Sequence, residues 1–155
     1  MIYSNWKEID IKSKVKQGRV ICLDYGLKRT GVAISDTGWE IATPLKVIET
    51  NILINKLQSI FKEYTVGLLV IGIPLALNGG TNGNQHNIVN DFTEQLHSII
   101  NIDILKYDER LSTVAANRFL SEANINWRKK KENIDKVAAS FILQGLLDTI
   151  NYNVK

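Results

Sequence analysis

Val20-Ile21-Cys22-Leu23-Asp24-Tyr25-Gly26-Leu27-Lys28-Arg29-Thr30-Gly31-Val32-Ala33-Ile34-Ser35 holds two apolar runs around a glycine turn. Two such runs joined by a Gly-containing turn read as a β-hairpin. Residues 20–24 and 30–35 are therefore expected to be antiparallel strands. The first of them closes on an acid, Asp24.

Outward from the hairpin, residues 40–48 follow the Thr37-Gly38 turn as a third strand, with Pro44 marking an edge or a bulge. Residues 52–64 place Leu53, Leu57, Ile60, Phe61 and Tyr64 at helical spacing. Val66–Ile73 is almost wholly apolar, as a parallel strand covered on both faces must be. A loop over 74–84, rich in glycine and asparagine, leads to a helix over 85–100 and a strand over 102–107. Ser112 can cap a helix running to about residue 123. Residues 127–132 read as a basic linker into an amphipathic helix over 133–150. Three antiparallel strands followed by alternating helix and strand predict an α/β fold: a mixed sheet with helices on both faces.

The chain has 155 residues, 45% of them apolar, enough for one domain with a real core. Residues 1–17 are polar and read as an N-terminal arm, with 18–155 as the domain. A net charge of +3 implies no partner by itself. The single cysteine, Cys22, allows no internal disulfide. The first residues lack the apolar stretch of a signal peptide, and 66–73 is too short to span a bilayer. A cytoplasmic location is expected.

Three acids fall where the pattern brings them together. Asp24 ends the first strand, Glu109 follows the last strand, and Asp135 opens the final helix. In open α/β sheets ligands gather beyond the carboxyl ends of the strands. With Val137, Ala138, Phe141, Ile142, Gly145 and Leu146 as the buried stripe, Asp135 falls angularly between Ile142 and Leu146, toward the sheet. Each acid also has an ordinary reading: helix-dipole complement for Asp135, turn residue for Asp24, local ion pair for Glu109 beside Arg110. Jointly, three carboxylates aimed at one region are costly without a cation. Mg²⁺ takes oxygen ligands and completes its shell with waters and substrate phosphate, so the set points to phosphodiester chemistry.

Four blocks carry a resemblance: residues 23–36 (Leu-Asp-Tyr-Gly-Leu-Lys-Arg-Thr-Gly-Val-Ala-Ile-Ser-Asp), Ile71-Gly72-Ile73-Pro74-Leu75, Asp108-Glu109-Arg110-Leu111-Ser112-Thr113, and Ile134-Asp135-Lys136-Val137-Ala138-Ala139. In this order they resemble the bacterial YqgF-type family of Holliday-junction resolvase-like proteins and pre-16S rRNA nucleases. The resemblance implies a ribonuclease H-like fold with a five-stranded mixed sheet, its second strand antiparallel to the rest. It also implies a cytoplasmic nuclease active in 5′-end maturation of 16S rRNA. Asp24, Glu109 and Asp135 would then be the catalytic, metal-binding residues, with Mg²⁺ or Mn²⁺ as cofactor. The arm lies outside the family's usual start, and 74–80 departs slightly from its pattern.

Basic side chains border the acids. Lys28 and Arg29 follow Asp24, Arg110 follows Glu109, and Arg128, Lys129, Lys130 and Lys131 precede Asp135. They are candidate contacts to a nucleic-acid backbone, against the plainer reading of solvated turns. Gly79, Gly80 and Gly83 would let nucleic acid approach the chain closely. Trp39 and Trp127 read as packing residues before base-stacking ones, Ser112 and Thr113 as caps, and His86 and His97 have no ligand spacing. Other substrates and roles compete: branched DNA, or a non-catalytic ribosome-assembly role. A nucleotide-binding reading also starts from Asp24-Tyr25-Gly26-Leu27-Lys28, which resembles the phosphate turn of the sugar-kinase and actin superfamily. Those proteins close two domains around ATP, and this length suits one.

Overall fold

A computed structural model describes residues 1–73, 83–108 and 127–154, and the side chains of these except 83–86, 108, 127–136 and 154. The strands are β1 (Ile2–Tyr3), β2 (Arg19–Asp24), β3 (Arg29–Ser35), β4 (Ala42–Glu49), β5 (Val66–Ile73) and β6 (Ile104–Asp108). The helices are α1 (Ile11–Gln17), α2 (Leu53–Glu63), α3 (Gly83–Ile99) and α4 (Trp127–Val154). The helix expected from Ser112 to about 123 lies outside the described residues.

The strands form one sheet in the order β1-β6-β5-β2-β3-β4. β1, β6, β5 and β2 are mutually parallel, and β3 runs antiparallel to both β2 and β4. The expected α/β sheet with its second strand reversed is present, but it has six strands, not five. The sixth is β1, whose Ile2 and Tyr3 sit opposite Ile104 and Leu105. A two-residue strand carries no alternation to read, and it exists because β6 offers an open edge.

Alternation along the strands splits the core in two. Val20, Cys22, Ala33, Leu68, Val70 and Leu105 face α1 and α4, while Ile21, Leu23, Val32, Leu69, Ile71 and Ile104 face α2 and α3. The N-terminal segment is built into the first of these: Ile9 and Ile11 are buried in it and Trp6 packs on it. Gly67 permits this contact, since a Cβ there would lie 2.4 Å from the Lys14 carbonyl oxygen.

Pro44 lies on the outer strand β4 at a register shift, where Ala33 pairs with Pro44 but Val32 with Lys46. The residue that cannot donate is thus both at the edge and at a bulge. Trp39 is 1% exposed, its Nε1 donating to the Gly18 carbonyl at 2.8 Å. Its φ of 58° is rare for a large side chain, and Asn151 Nδ2 holds its carbonyl at 3.0 Å. Trp39 is a core residue and does not present its ring for stacking.

α4 corrects a second expectation. Residues 127–132 are not a linker; they form the first turns of a 28-residue helix. Arg, Lys and Glu all favour helix, and no Gly or Pro interrupts the run. The buried stripe is also rotated: Ala139, Leu143 and Leu147 are fully buried, whereas Phe141 is only partly buried and Gly145 is exposed. Gln144 fastens this helix to the sheet edge, accepting from Ala42 N at 2.8 Å and donating to the Glu40 carbonyl at 2.9 Å.

Candidate active site

β2 lies inside the sheet, between β5 and β3, and its last residue is Asp24, opposite Gly31 of β3. Cys22, two residues earlier, faces α1 and α4, so Asp24 is on that same face. The side chain is half-buried. Across the sheet, Leu23 aligns with Ile71 and Ile71 with Lys106. β2 and β6 therefore end at nearly the same level with β5 between them, about 10 Å apart at two strand spacings. β6 ends at Asp108.

Beyond Asp24 the chain turns through residues 25–28 into β3. Tyr25 packs on Phe92 of α3 with ring centroids 4.6 Å apart. Burial pushes its hydroxyl above the ordinary tyrosine range, so it stays protonated at neutral pH. Gly26 is obligatory, because a Cβ there would lie 2.2 Å from the Arg29 carbonyl oxygen. Leu27 and Lys28 are exposed and Arg29 is half-buried at the start of β3. Thr50 Oγ1 donates to the Gly26 carbonyl at 2.6 Å and lies 3.0 Å from Thr30 Oγ1, while Thr50 N donates to the Lys28 carbonyl at 2.9 Å.

One hairpin thus carries Asp24, Lys28 and Arg29. Glu109, Arg110, Ser112 and Thr113 lie outside the described residues, as do positions 74–82 of the expected loop. Asp135, Arg128, Lys129, Lys130 and Lys131 are on the N-terminal half of α4, their side chains outside the described set. Thr30 and Thr50 were missed by sequence reasoning. The available signal was Thr30, a polar residue that opens an otherwise apolar run.

A family model described as "RuvX: Holliday junction resolvase" matches residues 18–149. The chain belongs to the RuvX family. The match opens at Gly18, next to the start of β2, with α1 and β1 before it. A Caldicellulosiruptor bescii protein named "Putative pre-16S rRNA nuclease" is 42% identical over 136 residues, covering 86% of this chain and 98% of its own. Proteins of the same name from Roseiflexus sp. and Bacillus thuringiensis are each 40% identical, covering 85% and 84% of this chain and 95% and 98% of theirs. Among solved structures, "T. thermophilus RuvC in complex with Holliday junction substrate" superposes with a TM-score of 0.55 at 9% identity, covering 89% of this chain and 98% of that one. That likeness establishes a fold of the ribonuclease H-like kind. Among the described residues, no helix is long and apolar enough to cross a membrane.

Proposed function

We propose that this RuvX-family chain is a metal-dependent nuclease that hydrolyses phosphodiester bonds in the 5′-end processing of pre-16S rRNA, in the cytoplasm. One observation carries the reading: a half-buried carboxylate, Asp24, stands at the carboxyl end of an interior strand, with Lys28 on the turn that follows and Arg29 opening β3. This is the position where α/β sheets collect ligands. The names of the relatives supply the substrate.

Asp24 with Glu109 and Asp135 would hold Mg²⁺ or Mn²⁺. Two features support the set. Leu105 and Tyr107 of β6 pack on the α4 side, and in sequence Glu109 stands two residues beyond Tyr107. Asp135 precedes the buried Ala138 and Ala139 by three and four residues, a helical repeat. An all-oxygen donor set suits a hard cation. Such an ion, once bound, supplies positive charge to the phosphodiester and lowers the pKa of water.

The protein's own groups orient the substrate. Lys28, Arg29 and Arg110, with Arg128, Lys129, Lys130 and Lys131, would pair with phosphates flanking the scissile bond and fix its register. Tyr25, packed on Phe92 at the α2/α3 side of the sheet, anchors the start of the turn. Residues 18–155 would carry this nuclease machinery, with 1–17 as an appended arm. A second reading, cleavage of branched DNA, is favoured by the family description. The test is cleavage of precursor 16S rRNA, unstructured RNA and four-way DNA junctions with and without Mg²⁺ or Mn²⁺. The proposal expects ion-dependent cuts in the precursor; preference for the junction favours the second reading, and no cleavage of any substrate contradicts both.

A further inference from the structure

The turn after Asp24 would ordinarily be loose, since Leu27 is 65% exposed and Lys28 is exposed beside it. It is nevertheless fastened from outside. Thr50 opens the short 3₁₀ turn that leads from β4 into α2, and its hydroxyl donates to Gly26 O at 2.6 Å. With that proton committed, the 3.0 Å contact to Thr30 makes Thr30 the donor and the Thr50 oxygen the acceptor. The Thr50 amide meanwhile holds Lys28 O at 2.9 Å. One residue therefore grips both ends of residues 26–28, and it is itself oriented by Thr30, which is fully buried.

We infer that Thr50 is a positioning residue for substrate binding, fixing the turn so that Lys28 meets a phosphate beside the scissile bond. This rests on the nuclease reading above. A pre-ordered turn spares the entropy of ordering on binding. The loss should therefore fall on affinity through Lys28, and Asp24, on β2 ahead of the turn, should keep its place.

The test compares wild type, Thr50→Val, Thr50→Ser, Lys28→Ala and Thr50→Val/Lys28→Ala. Each is measured for KM and kcat on a 5′-extended 16S rRNA fragment with Mg²⁺, for Kd on the same RNA, and for thermal unfolding. Removing the hydroxyl should raise KM and Kd about 3- to 10-fold, as loss of a single hydrogen bond does. kcat should stay within about twofold, Thr50→Ser should restore the wild-type values, and Thr50→Val should add nothing in the Lys28→Ala background. An unchanged Kd, a change confined to kcat, or a loss that persists in full without Lys28 overturns the inference. If the valine variant does not fold, Thr30→Val, which removes only the donor to Thr50, must show the same Lys28-dependent loss. Wild type that binds this RNA but never cuts it removes the nuclease reading, while the Kd comparison still decides the role of Thr50.

Discussion

At Asp103 two positive groups converge: Lys14 Nζ is 2.6 Å from one carboxylate oxygen and the Met1 amine 2.8 Å from the other. Burial alone would raise this carboxyl, but the Lys14 and amino-terminal contacts outweigh it and hold it below the usual aspartate range. A carboxyl depressed in the folded state stabilises the protein above its unfolded pKa, about 3.9, and loses that contribution as pH falls through the folded value. Asp103→Asn should therefore cost about 1 kcal/mol near pH 7. The gap to wild type should close in melting curves taken from pH 5 down to pH 2; a gap constant over that range would contradict the pairing. Asp103 was invisible in the sequence because its partner lies 102 residues away. Thr50, 24 residues from Gly26, was hidden for the same reason. Asp24 was legible because a carboxylate ending an apolar run is an anomaly that needs no partner to be noticed.

Elements were readable in proportion to their length and pattern. β5 was expected over 66–73 and lies at Val66–Ile73, because eight nearly all-apolar residues ending at a proline leave little choice. α2 and β4 moved by only one or two residues at each end, as helix and strand termini generally do. α4 was harder. Its apolar residues spread over a broad arc, so sequence alone did not fix the centre of the buried stripe, and a run of charges looked like a linker. Placing Arg128, Lys129, Lys130 and Lys131 on a helix sharpens a prediction. Replacing all four with alanine, the best helix former, should leave the circular-dichroism spectrum unchanged. The same change should flatten the salt dependence of RNA affinity, by about 0.7 in slope for each phosphate no longer neutralised on a single strand. Coincident slopes would return these residues to the solvated surface and leave Lys28, Arg29 and Arg110 to hold the phosphates.

Across the molecule, the arm and the acidic end of the sheet occupy opposite poles, because α1 enters at the start of β2 and Asp24 closes it. The class of fold was legible from the order of its elements, and the sixth strand was not. Deleting residues 1–17 removes Ile9 and Ile11 from the core and uncovers the edge of β6. At about 1.5–3 kcal/mol for each buried side chain, unfolding in urea should shift to markedly lower concentration. Cleavage by the fraction that remains folded should persist, since no proposed site residue is removed. A truncated chain that is equally stable would contradict the observed packing.

The proposed site stands on ion capture by Asp24 and Glu109. Its most direct test is Mg²⁺-dependent cutting of precursor 16S rRNA by wild type, Asp24→Asn and Glu109→Gln, with RNA affinity measured on the same preparations. Loss of turnover in both variants, with binding retained or slightly tighter because repulsion of phosphate is relieved, is the predicted result. Cleavage by both at the wild-type rate would contradict it.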